Sequence, residues 1–209
     1  MNKDLQKILL AGFGKRLAKY SFKARPRSQS FIRPTQSGYN SVHLSFINHK
    51  DDFDLTLDIA IRFDEVEDMV NEFNQHLTKK EKARTCTIGI ELGNLTKGTQ
   101  RRWTISSESD IQPVIDELMD EFTLHCEPYF EKYSTLTSVY EVLSSDERDS
   151  SINSPIHASR AKRSLAAANL LGSGNLEKER DRRIQFLEQM KDFGLKSYIE
   201  FTKSIINSD

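Results

Sequence analysis

Apolar residues change period along this chain, and each change marks an element. From about residue 3 to 20, Leu5, Ile8, Leu9, Gly12, Phe13 and Leu17 recur at helical spacing, with lysines on the other side. After "KARPRSQ" the period falls to two. In "FDLTLDIAIRF", Phe53, Leu55, Leu57, Ile59, Ile61 and Phe63 point one way, while Asp54, Thr56, Asp58, Ala60 and Arg62 point the other. "SVHLSF" alternates likewise through Val42, Leu44 and Phe46, and the polar "NHKDD" reads as the loop of a hairpin joining the two runs. "SFIRPTQ" is predicted as an edge strand, because Pro34 has no N–H to give to a ladder. A helix from about Glu65 to His76 carries Val66, Met69, Val70 and Phe73. "TCTIGIEL" and "RRWTIS" read as a second hairpin, turned at Gly93, Asn94 and Gly98. The fold class is therefore α+β, with an antiparallel sheet of about five strands packed on helices.

A longer helix is expected from about Ile111 to Tyr133, with Asp110 as its cap and Pro113 in its first turn. At about 100° per residue, Ile111, Ile115, Leu118, Phe122, Cys126, Tyr129 and Tyr133 form one stripe. Pro128 lies on the outer side, where its missing N–H predicts a bend; Ser134 is expected to cap a further short helix. The serine-rich "SSDERDSSINSP" reads as a linker. Beyond it, Ser154 and Pro155 start a helical hairpin that turns at Gly172–Gly174, with Asn175 capping its second helix. Gly194 precedes a third helix, "LKSYIEFTKSII". The expected organisation is a sheet domain over 1–145, a linker over 146–155 and a helical extension over 156–209. The hairpin, with small residues at Ala161 and Ala166–Ala168, resembles a single tetratricopeptide-type unit, which needs another surface to cover its apolar face.

Composition adds little to the fold. Of 209 residues, 37% are hydrophobic and 29% charged, and twelve phenylalanines are spread widely enough to seed a core. No apolar run reaches the roughly 18–20 residues that span a bilayer, and no cleavage site follows the N-terminal helix, so no membrane role is expected. Two cysteines, Cys86 and Cys126, without a CxxC motif suit a reducing, cytoplasmic setting and argue against structural zinc. Charge changes the picture more. Residues 1–33 hold nine Lys/Arg against Asp4 alone, while residues 108–149 hold twelve Asp/Glu against Lys132 and Arg148. Such faces either complement each other or meet a charged partner.

Candidate chemistry is sparse. In His125-Cys126-Glu127 the side chains splay about 100° apart, whereas ligands on one helix need spacing of three or four. A Cys-His nucleophile pair would need His43, His49 or His76, and no spacing selects one. On the polar face of the sheet, Asp54, Asp58 and Glu91 with Arg62 and Arg102 form either cross-strand ion pairs or, as an alternative, the site of a metal-dependent hydrolase. The segment "KARPRSQSFIRP" interleaves Lys23, Arg25, Arg27 and Arg33 with Phe22 and Phe31, a pattern that can hold nucleic-acid backbone and bases. "LLGSGN" follows a helix, so it is a turn and not a phosphate loop. "EKERDRR" has the mixed charge of an exposed helix face. No cofactor, metal or catalytic residue is assigned.

The stretch "IGIELGNLTKGTQRRWTISSESDIQPVIDELMDEFTLHCEPYFEKYSTLTSVYEVL" resembles a bacterial family of domains of unknown function, through Leu92, Gly93, Trp103, Pro128, Phe130 and Leu143. The resemblance covers about residues 1–145 and implies an α+β fold without an assigned activity. By analogy it suggests the immunity or accessory proteins of bacterial conflict and defence systems. The expected function is non-catalytic protein–protein interaction, with nucleic-acid binding through the basic segment as the alternative.

Overall fold

The computed structural model describes residues 2–206, with the side chains of Arg148 and Asp149 left aside. Helix α1 (Asn2–Leu17) buries Leu5, Leu9, Phe13 and Leu17, one residue per turn on a single side. A 3-10 turn (Ala18–Tyr20) stops it at Ser21, whose φ of 66° is left-handed. Strands β1 (Lys23–Arg25), β2 (Ser30–Thr35), β3 (Gly38–Asn48) and β4 (Phe53–Phe63) follow. The β3–β4 loop is closed by the His49 N–H donating to the Asp52 carbonyl at 3.0 Å. Then come α2 (Asp64–Glu72), α3 (Lys79–Lys82), β5 (Ile88–Glu91), α4 (Leu92–Thr96) and β6 (Trp103–Ile105). The remainder is helical: α5 (Ile111–Glu121), a π turn (Phe122–Cys126), α6 (Glu127–Lys132), α7 (Leu136–Ser144), α8 (Arg148–Asn153), α9 (His157–Leu170), α10 (Leu176–Gln189) and α11 (Leu195–Ile206).

The α+β class holds. The strands run in the order β1-β2-β3-β4-β5, with β6 also on β4, and the β1–β2, β2–β3 and β4–β6 pairs are antiparallel. The six alternating apolar residues of β4 are all buried. Two strand assignments change. The basic segment itself forms β1, which pairs with Ser30–Ile32 only, so Pro34 lies beyond it and β1 becomes the edge. The second expected hairpin does not form: β6 pairs with Phe53–Leu55 of β4. The residues after β5 coil into α4, because the Glu91 carboxylate accepts the Gly93 and Asn94 N–H groups that open a helix. Gly93 is required there, since a Cβ would lie 2.2 Å from the Thr99 carbonyl.

The chain forms two compact units, residues 2–61 with 90–132 and residues 62–89 with 133–206. In the first, α1 meets α5 where Gly12 leaves room for Ile115, and Phe13 meets Phe31 of β2 edge-on at 5.4 Å. The whole expected stripe of the long helix, from Ile111 to Tyr133, is buried. The expected bend is a π turn, in which the Glu127 N–H reaches back to the Phe122 carbonyl just before Pro128. The wider turn brings Phe130 into the core beside Tyr129. In the second unit α9 is central, with α2, α7, α10 and α11 against it. The expected linker is α8, held because Ser150, Asn153 and Ser154 are buried. Ser154 ends α8 instead of capping α9: its N–H donates to the Ser150 carbonyl, and its own carbonyl accepts from the Arg160 guanidinium. Thr135, not Ser134, caps α7, accepting from the Ser138 N–H.

Candidate binding surface

The structure separates the residues expected on the polar sheet face. Asp54 accepts from Thr104 Oγ1 at 2.7 Å, with His49 at 3.3 Å and Arg102 at 3.6 Å. The Thr104 hydrogen bond leads in holding the Asp54 carboxyl below its usual range, and His49 and Arg102 add to it. Asp58 sits apart, accepting from Ser45 Oγ at 3.1 Å and facing His43 Nδ1 at 3.5 Å. Ser45 and Asp58 both meet the same ring nitrogen of His43. A nucleophilic relay needs the imidazole between hydroxyl and carboxylate, bonded through opposite nitrogens, so this arrangement is not one. Arg62 is buried among Asp64, Asp68, Thr85 and the Lys82 carbonyl. Glu91 accepts three backbone N–H groups, from Gly93, Asn94 and Arg101. Neither joins the two aspartates, because each serves a loop beside its own strand. Among the described residues no group of three or more His, Cys, Asp or Glu is placed to hold a metal.

The His125-Cys126-Glu127 triplet is splayed as its spacing predicts. His125 faces Glu121 at 3.5 Å, and Cys126 is fully buried. Glu127 binds Arg33 at 2.7 and 3.0 Å. Burial, with Glu121 and Glu127 nearby, pushes the Cys126 thiol well above its ordinary value, which leaves it inert at neutral pH.

The basic segment splits in two. Arg33 is committed to Glu127 and lies over the rings of Phe22 at 4.7 Å and Phe130 at 5.2 Å. Phe22 and Phe31 are both buried, so neither offers a ring to a base. Lys23, Arg25 and Arg27 remain exposed, as do Ala24 and Pro26 between them. Beside them lies a groove of about 350 Å³ between α1 and β1. Leu10, Ala11 and Gly14 line one wall, Ala24, Pro26, Ser30 and Phe31 the other, and Lys7 and Lys15 flank it. A Cβ on Gly14 would meet Phe31 Cε1 at 2.8 Å, so glycine keeps this wall low. Exposed small residues on a helix give no hydrophobic signal, which is why periodicity does not reveal the groove.

Sequence reading also misses the charge inside the second unit. Arg160, Lys162, Glu179 and Arg183 are buried, although "EKERDRR", which holds the last two, has the charge pattern of an exposed helix face. Arg183 binds Glu179 at 3.0 Å, Asp146 at 2.7 Å and the Leu143 carbonyl at 2.6 Å. Glu67 of α2, completely buried, binds Arg163 of α9 at 2.7 and 3.2 Å. These contacts use side chains and carbonyls of the unit itself and describe scaffold. No family model, curated protein or solved structure matches this chain.

Proposed function

We propose that the protein is a non-catalytic module that works by contact with another protein, made through the basic surface of α1 and β1. The observation that carries this reading is the exposed group Lys23, Arg25 and Arg27 beside an apolar groove. Desolvated apolar area supplies affinity, and surrounding charge selects and steers a complementary partner. An immunity or accessory role in a bacterial conflict system, in the cytoplasm, is the setting that the resemblance around Leu92–Leu143 suggests. Nucleic-acid contact is the second reading. It keeps only three of its four cations, because Arg33 is engaged with Glu127. No helix among the described residues is long and apolar enough to cross a membrane.

The test is co-purification from the native host with the wild type and with a Lys23→Glu/Arg25→Glu/Arg27→Glu variant. A protein retained by the wild type, lost by the variant and rebound after separate purification supports the reading. Retention by both proteins alike overturns it. Capture abolished by nuclease, with binding that falls steeply in salt, moves the assignment to nucleic acid. Metal-dependent hydrolysis abolished by Asp58→Asn would replace binding with catalysis.

A further inference from the structure

We infer that the groove between α1 and β1 takes an extended acidic peptide segment, which adds to the sheet as a strand along β1 and seats one apolar side chain between Ala11, Gly14 and Ala24. The inference rests on the protein-binding reading above and names the partner's chemistry. Three observations point the same way. First, β1 ends the sheet, and Lys23, Ala24 and Arg25 are all exposed. An unpaired strand edge leaves N–H and C=O groups that another strand satisfies best. Second, the groove runs beside that edge, with Ala24 in one wall, so a strand on β1 directs alternate side chains into it. Its volume of about 350 Å³ lies within the span of small binding pockets, about 300–1,000 Å³.

Third, cations lie on both faces of that edge: Lys7 and Lys15 on α1 flank the groove, while Lys23 and Arg25, alternating with Ala24, point from the opposite face of β1, where the other side chains of an added strand would lie. Lys7 meets Asp4 at 3.1 Å, but both side chains are about three-quarters exposed, a contact that a partner's carboxylate can replace at little cost. Shortness and like charge are also the devices that stop an edge strand from pairing indiscriminately. Here they repel basic strands, give a neutral one no charge attraction, and leave an acidic one as the favoured addition. A nucleic-acid strand suits the site less, because both nearby phenylalanines are buried and phosphates carry no donor for the edge carbonyls.

The experiment is selection of a displayed library of random short peptides on the 209-residue chain, followed by fluorescence anisotropy with the enriched peptides. Enriched sequences are expected to be acidic with one central large apolar residue. Binding is expected to weaken about tenfold or more with Ala11→Glu, or when the peptide backbone is N-methylated at alternate positions. Ala11 is exposed on α1, so its replacement leaves the core intact, which a thermal melt checks. Lys15→Glu supplies a second variant that acts on charge alone. No enrichment, enrichment of basic peptides, or equal binding by both variants overturns the inference. So does an oligothymidylate that displaces the peptide and binds more tightly. If the peptides fail while the charge-reversal variant still loses a purified partner, the groove is wrong and the protein-binding reading survives. If the peptides bind as expected and no host partner is found, the failure belongs to the identification of the partner and the groove stands.

Discussion

Glu67 and Arg163 show what a single buried charge costs and returns. Burial alone raises the Glu67 pKa, but Arg163, by charge and hydrogen bond, with Thr85 and Arg62, more than reverses this and leaves it below the ordinary value. A folded pKa below the unfolded one means the stabilisation is complete above about pH 4.3, the unfolded glutamate value, and is lost as pH falls through the folded value. Glu67→Gln should therefore lower stability at pH 7 by about 3 kcal/mol, the low end for removing one partner of a buried pair, because Arg163 keeps some contact with water. The gap between variant and wild type should narrow below about pH 4. Urea unfolding at several pH values measures this, and a gap independent of pH would refute the assignment. Nothing in "DEVEDMVNE" singles out Glu67 among its acidic neighbours. It is separated from them only by α9, which is 96 residues away in sequence. The basic segment shows the same limit. Lys23, Arg25, Arg27 and Arg33 look alike in sequence, and only the ring stack on Phe22 and Phe130 sets Arg33 apart.

At the scale of elements, periodicity carries far because it reports burial directly. The β4 alternation and the Ile111–Tyr133 stripe are both buried as expected, and Pro128 marks where the long helix departs from regular spacing. Strand partners are less legible, since hydrophobic alternation says which face is buried and not which neighbour supplies the hydrogen bonds. Thus two short alternating runs around Gly93 and Gly98 predict a β5–β6 hairpin, yet Glu91 turns the residues after the first run into a helix. That choice can be tested. At Gly93 a Cβ would lie 2.2 Å from the Thr99 carbonyl and 2.3 Å from the Arg101 nitrogen, both backbone atoms that cannot rotate away. At Gly12 the obstacle at 2.6 Å is Ile115 Cδ1, the far end of a flexible side chain. Alanine gains roughly 0.8–1 kcal/mol of helix propensity over glycine in a helix interior. Gly12→Ala should therefore be close to neutral, while Gly93→Ala should destabilise by about 1–3 kcal/mol through forced displacement of the loop. Thermal melts of the two variants compare them, and equal melting temperatures would show that the loop at Thr99–Arg101 yields freely.

At the scale of the whole molecule, chain order and spatial grouping diverge. A boundary at residue 145 follows naturally from composition, because the serine-rich stretch looks solvated. The compact units instead join residues 62–89 to the C-terminal helices. The reason is visible in what α2 needs. Glu67 has its charge partner on α9, Phe73 meets Phe201 of α11 edge-on at 5.3 Å, and Val66 and Val70 are buried. Helix α2 has nine residues, too short to persist in water without tertiary contacts. A fragment ending at residue 145 removes α9–α11 and leaves Glu67 without its counter-charge in an apolar setting. The expected outcome is loss of amide protection across α2 and α3 in that fragment, measured by hydrogen exchange, with early proteolytic cleavage between residues 64 and 87. Protection in α1 and α5 should fall much less, since their contacts lie within the other unit. Uniform protection of α2 in the fragment and in the full chain would show that residues 62–89 belong energetically with the N-terminal sheet. Loss of protection everywhere would show that the two units unfold as one.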